Sequence, residues 1–239
     1  MTSDSELQIL RMSSSSPTRT RAEQIADSIA RDISNGVLKP HQKLSEAELA
    51  LQFQVSRGPI RDALDLLERN MLVTIKPRSY TIVNQLNFRE LEQLFEFRKG
   101  VLSLASKFSA RNRTEKDIDK LKVGLESLLS VLNTKNVNLE VHAIPAANLW
   151  DLIIDASHSP VVRQACLHFT GGNIWSRAVA DNLSESKLRT YTRRRKKLWQ
   201  QNLDAISQGD EAAAFEAGAN LVENNWFLLK DSIANVFPQ

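Results

Sequence analysis

Residues Leu44 to Leu67 read LSEAELALQFQVSRGPIRDALDLL, and their spacing predicts two short helices joined by a tight turn. Ser45 is placed to cap the first helix, and Glu48 three residues later completes a Ser-x-x-Glu capping box. Leu44 before the cap and Leu49 after it have the spacing of a hydrophobic staple. The second helix repeats the device with Ser56 as cap and Val55 and Ile60 as staple. Pro59 falls in the first turn, where a missing N–H is tolerated. Leu49, Ala50, Phe53, Val55, Ile60, Ala63, Leu64 and Leu67 then form a small shared core at helical spacing. Arg57 and Arg61 stay on the outer face, one turn apart. This is the layout of a helix-turn-helix whose second helix enters the DNA major groove, where arginine reaches guanine edges or phosphates in bidentate fashion. A helical hairpin with two solvated arginines has the same spacing, so the flanking sequence decides.

Upstream, Ile25, Ile29 and Ile33 recur every four residues within Ala22–Asn35, a helix with one apolar stripe that Gly36 ends. Downstream, Leu72-Val73-Thr74-Ile75 and Tyr80-Thr81-Ile82-Val83 are β-branched runs around Lys76-Pro77-Arg78-Ser79. Three helices followed by a two-stranded hairpin make a winged helix-turn-helix.

These segments resemble the N-terminal DNA-binding domain of the GntR family of bacterial transcription regulators. The matching pieces are Gly36-Val37-Leu38-Lys39-Pro40, Leu44-Ser45-Glu46, Glu48-Leu49-Ala50, Val55 to Leu64 and Leu72-Val73. The resemblance implies that Arg57 and Arg61 touch the operator, within a DNA-contacting set of Ser45, Glu46, Ser56, Arg57, Gly58, Arg61 and Arg78. One departure stands out. The family's wing carries a glycine at its tip, where this chain has Arg78-Ser79. A positive φ is less comfortable there, which leaves either a reshaped wing or an Arg78 that reaches the minor groove or a phosphate.

The chain has 239 residues, 42% hydrophobic and 25% charged, which are ordinary values for one or two globular domains. Its net charge of +3 excludes a general basic coat, so nucleic acid must be met by a local patch. A single cysteine, Cys166, excludes an internal disulfide and fits a reducing cytoplasm. No apolar stretch approaches the roughly 20 residues of a membrane span, and the N-terminus lacks the apolar core of a signal peptide. The organisation expected is a mobile tail over residues 1–18, the winged domain over 19–84 and an all-α bundle over 85–239.

In that bundle Phe88–Ala110, a helix capped by Thr114, Pro145–Ala156, a segment after Pro160, Ser186–Ser207 and Asp210–Ile233 carry helical periods. Gly171-Gly172 interrupts the fourth segment, and Gly209 suits a C-cap between the last two. This half resembles the effector-binding and dimerisation domain of the FadR-type branch, the FCD domain, through Glu96-Phe97-Arg98, Ala156 to Pro160 and Ala205 to Asp210. Many FCD domains hold a divalent metal through one Asp and three His. Here those positions fall on Ala146, Trp150, Trp199 and Leu221, none of which ligates a metal. His142 precedes Pro145 and is expected outside the helix, while His158 and His168 lack a spaced acidic partner. The expectation is a bundle without metal or cofactor. Its centre is either a self-packed core or a pocket for a partly apolar acid, lined by Trp150, Trp199 and Leu221 and anchored by Arg98. A buried arginine demands an anion, here a ligand carboxylate, Glu96 or another acid from a facing helix.

Lys187, Arg189 and Arg193 to Lys197 form a strong basic run, either a solvated helix face or an anion site. An enzyme would need a nucleophile with a base or paired acids in one pocket. Cys166 and His168 face different ways on a helix, and Gly171-Gly172 is no phosphate loop. The reading is a cytoplasmic homodimeric repressor on a near-palindromic double-stranded operator, modulated by a small effector without a metal. The alternative is a ligand-independent dimeric DNA-binding protein.

Overall fold

The computed structural model describes residues 20–76, 80–85, 87–133, 139–166 and 183–236. The expected tail, the wing tip with Arg78, His168 and Gly171-Gly172 lie outside the described residues. The first helix, α1 (Arg21–Ser34), opens on a capping box in which Thr20 accepts the Glu23 N–H and Glu23 bonds back to the Thr20 N–H. Ile25, Ile29 and Ile33 are buried along its stripe. Then follow β1 (Lys43–Leu44), α2 (Glu46–Phe53), α3 (Arg57–Arg69), β2 (Val73–Lys76) and β3 (Tyr80–Val83). The sheet is antiparallel in the order β1-β3-β2. Strand β1 is a third strand beyond the predicted hairpin, pairing Lys43 with Ile82 and Leu44 with Thr81. Two residues are too few for alternation to reveal a strand. Leu49, Ile60, Ala63, Leu64 and Leu67 are buried, with Ala50, Phe53 and Val55 packed against them, so the predicted shared core forms.

The second half holds α4 (Phe88–Asn112), α5 (Glu115–Leu132), α6 (Leu139–Ala156), α7 (Pro160–Cys166), α8 (Glu185–Gln208) and α9 (Glu211–Val236). Capping boxes start α4 at Asn87–Glu90 and α5 at Thr114–Asp117. Gly209 closes α8 at a φ of 76°, a left-handed conformation that only glycine adopts at little cost. Helix α6 begins well before Pro145. The proline forfeits one backbone bond, to the carbonyl four residues back, and the helix runs through it. His142 is therefore helical and buried, not outside the helix as expected.

Helix α4 packs along α9, α8 along α9, and α5 along α6. Ion pairs Lys99–Glu223 (3.2 Å) and Arg111–Glu211 (2.6 Å) tie α4 to α9 at two levels and fix them antiparallel. Between these pairs Gly218 lets the helices close: a Cβ there would lie 2.8 Å from Ser106 Oγ and 3.1 Å from Ser103 Cα. Ser106 Oγ in turn accepts a hydrogen bond from the buried Asn202 amide of α8 (3.0 Å). Another tertiary bond joins α5 to the turn after α6, from His158 Nε2 to Asp117 Oδ2 (2.8 Å). Partial burial pulls the Asp117 carboxyl upward, but the Thr114 N–H and hydroxyl and His158 outweigh it and hold the pKa at about 2.

Gly218→Ala is expected to lower stability by about 1–3 kcal/mol, the usual cost of overpacking, because the Ser103 backbone has no rotamer to yield. Denaturant unfolding checks it, and an unchanged midpoint would refute the close seam. For Asp117, a depressed carboxyl contributes stability that is present above its unfolded pKa and lost as pH falls through the folded value. Stability should therefore decline between about pH 4 and pH 2 through this group, and Asp117→Asn should remove that part of the pH dependence in unfolding measured against pH.

Candidate DNA-reading surface and bundle interior

The start of α3 is open. Ser56 has the extended conformation of an N-cap, but its hydroxyl makes no cap bond. The expected cap fails for a local reason: the third helical position is Pro59, which has no N–H to donate. At α2 the predicted box is half formed, since Ser45 Oγ accepts the Glu48 N–H at 3.4 Å without a return bond from Glu48. The turn between the helices is carried by Gln54 at a φ of 54°, with its N–H bonded to the Ala50 and Leu51 carbonyls. Ser56, Arg57 and Gly58 are exposed at the first turn of α3. A Cβ at Gly58 would meet nothing within 4 Å, so glycine is not required there by packing within the chain. A bare helix start with free backbone N–H groups and an adjacent arginine suits a phosphate.

One turn on, Arg61 Nε donates to Glu46 Oε2 at 2.8 Å, with the two side chains 63% and 36% exposed. Glu46 uses Nε and leaves both terminal nitrogens of the guanidinium available for a bidentate contact. Neighbouring bonds fix the frame. Arg21 Nη2 holds the Phe53 carbonyl at the end of α2 (3.0 Å), and Glu68 Oε1 accepts the Ile75 N–H of the outer strand β2 (2.6 Å). Lys43 lies 4.3 Å over the Tyr80 ring at the base of the wing. Of the predicted DNA contacts, Ser56, Arg57, Gly58 and Arg61 share the exposed end of α3, and Ser45 and Glu46 adjoin them at the start of α2.

In the bundle, Trp150 and Trp199 meet edge to face with ring centroids 5.2 Å apart. Trp199 is fully buried and Trp150 partly, while Leu221 is buried on α9. Arg98 is buried over the Phe95 ring at 5.8 Å and lies near Cys166. Glu96, one expected partner for Arg98, instead pairs with Lys99 at 2.9 Å. His158, read as lacking an acidic partner, has Asp117, which sequence spacing does not reveal. Among the described residues no three His, Cys, Asp or Glu side chains converge as a metal site would require. Burial and the nearby Asp151 push the Cys166 thiol up to about 11, far from a nucleophile's range.

Sequence reading missed Arg195. It sits in the basic run yet is buried, bonding the Tyr191 hydroxyl and Asn225 Oδ1, while Arg193, Arg194 and Lys197 are exposed. Its guanidinium lies 5.2 Å from the Tyr191 ring centroid and 5.7 Å from that of Trp199. The signal was present: Tyr191, Arg195 and Trp199 recur every four residues and share one helix face.

Residues 21–83 match the family model for bacterial regulatory proteins of the gntR family. That match spans the winged helix-turn-helix. The chain is also similar to the uncharacterized HTH-type transcriptional regulator YdhC of Bacillus subtilis, 24% identical over 77% of this chain and 84% of that protein. It is 27% identical to the HTH-type transcriptional repressor RspR of Escherichia coli over 51% of this chain and 54% of the relative. The fold is that of E. coli McbR/YncC, with a TM-score of 0.61 at 20% identity, covering 90% of this chain and 99% of that one. The chain is a DNA-binding transcription regulator.

Arg57→Ala and Arg61→Ala should each weaken binding to a duplex selected by the protein by about 1–3 kcal/mol if they read bases. Fluorescence anisotropy checks this, and unchanged affinity in both variants would remove α3 as the reading helix. Glu46→Ala should raise affinity for random duplex while lowering the ratio of selected to random binding, because Arg61 keeps its charge and loses its tether.

Proposed function

We propose that the chain is a cytoplasmic homodimeric repressor of the FadR type, with an FCD-like C-terminal bundle. Its two GntR domains occupy the half-sites of a near-palindromic operator, because operator symmetry mirrors the two-fold axis of the protein. The observation that carries this reading is the open start of α3, where Arg57 and Gly58 are exposed and Arg61 presents its guanidinium. Support for the dimer comes from α4. Phe97 and Leu104 are 57% and 40% exposed and flank Gly100, where a Cβ would meet nothing within 4 Å. Large apolar side chains at one heptad spacing, with a glycine admitting close approach between them, suit a second copy of the same helix.

The bundle is read as the site of a small, partly apolar effector held without a metal, with Trp150, Trp199, Leu221 and Arg98 as its lining. What supports this is the replacement of every family ligand position by Ala146, Trp150, Trp199 and Leu221, together with the paired indoles.

Light scattering on the eluting protein should give a dimer for the wild type and a monomer for Leu104→Glu, with operator affinity falling at least tenfold in the monomer. A Leu104→Glu dimer with intact operator binding would overturn the α4 interface.

A further inference from the structure

We infer that the bundle interior holds an oxyanion, a carboxylate or a phosphate, against Arg195 of α8. This rests on the reading of the bundle as an effector site and replaces its expected anchor, Arg98.

Arg195 is 6% exposed, and its partners are neutral: the Tyr191 hydroxyl, Asn225 Oδ1 and two aromatic faces. Among the described residues no acid pairs with its guanidinium, whose bonds go to the Tyr191 hydroxyl and Asn225 Oδ1. Aromatic faces and amide oxygens soften a buried guanidinium without neutralising it, and evicting an ion from water costs several kcal/mol unless an opposite charge accompanies it.

The groups around it fit the same visitor. Trp199, 1% exposed, has an Nε1–H with no hydrogen-bond partner among the described residues. His142, 3% exposed, bonds the Val131 backbone, and its Nδ1 has no partner among the described residues. Burial and the Arg195 charge push this imidazole down to about 4. One oxyanion would take the Trp199 N–H, neutralise Arg195 and remove the charge that adds to burial in holding the His142 imidazole down. The placement follows from two facing stripes: Tyr191, Arg195 and Trp199 on α8, and His142, Ala146 and Trp150 on α6. Between His142 and Trp150 the α6 stripe presents only the methyl of Ala146. The helices meet here through long side chains, with the indole pair at one end of the stripes and the imidazole at the other. An apolar body beside the indoles and a charged head on Arg195 is the geometry of an aromatic or acyl anion.

The test uses the full chain with divalent metal chelated, and benzoate, acetate and inorganic phosphate as probes. Thermal midpoint and tryptophan fluorescence are the readouts, since Trp199 adjoins the site. Benzoate is expected to raise the wild-type midpoint and perturb the fluorescence. Arg195→Gln is expected to bind it at least tenfold more weakly, while Arg193→Gln, at an exposed position of the same helix, binds within twofold of the wild type. Trp199→Phe keeps a ring, removes the N–H and should weaken binding several-fold, which guards against misfolding of the Arg195 variant. A response to phosphate and not to the carboxylates also supports the site and names its chemistry. Absence of a response to all three probes overturns the inference, as does undiminished binding by Arg195→Gln. Operator affinity measured on the same preparations separates the two readings. An uncharged compound that shifts the midpoint equally in wild type and Arg195→Gln would keep an effector site and overturn the anion.

Discussion

The bundle depends on how closely α4 approaches α9. Gly218 lies against Ser103 and Ser106, and a single added methyl group would meet serine backbone at 3.1 Å. Such proximity brings polar hydroxyls into the interior, where each needs a partner. Ser103 donates to the Lys99 carbonyl of its own helix (2.6 Å), and Ser106 takes the Asn202 amide of α8. The second bond does more than satisfy a donor. Asn202 lies three residues beyond Trp199 on α8, so the seam that joins α4 to α9 also sets how the Tyr191–Arg195–Trp199 face is turned inward. The Arg195 charge is thus placed in part by small residues on other helices.

The DNA-reading end obeys a different compromise. An N-cap side chain is worth about 1 kcal/mol to a helix, and α3 forgoes it because Pro59 removes the donor. The helix start is held instead from behind, by the fully buried Ile60 and the partly buried Val55 of the staple. Stability thus comes from the side facing the core, leaving Ser56, Arg57 and Gly58 uncommitted on the side facing out. Local rules are broken where function needs free groups.

This explains what the sequence disclosed. Elements with long periods, such as α1, α4 and α5, were legible because periodicity is a local property, and Thr114 also marked the start of α5. The helix-turn-helix core was legible for the same reason. Strand β1 was not, because its two residues become a strand only by pairing with β3. The start of α6 was misplaced because proline was given the weight of a terminator, although tertiary packing carries a helix past one lost bond. The Asp117–His158 bond and the burial of Arg195 depend on which helices face each other, and one-dimensional spacing carries that information only faintly.

The Glu46–Arg61 pair shows how little an ion pair needs to stabilise in order to matter. Arg61 is 63% and Glu46 36% exposed, and a pair this open to solvent contributes about 0–1 kcal/mol. Glu46 already has a reason to sit in the first turn of α2, where a carboxylate favours the positive end of the helix. Beside a DNA backbone that same carboxylate is repelled, which opposes binding everywhere on the duplex alike. The repulsion falls on every sequence equally, whereas the benefit of a guanidinium held through Nε falls only where its two terminal nitrogens find matching acceptors. A carboxylate in this position therefore trades general affinity for discrimination, and the trade is available only because Arg61 reaches it from the neighbouring helix.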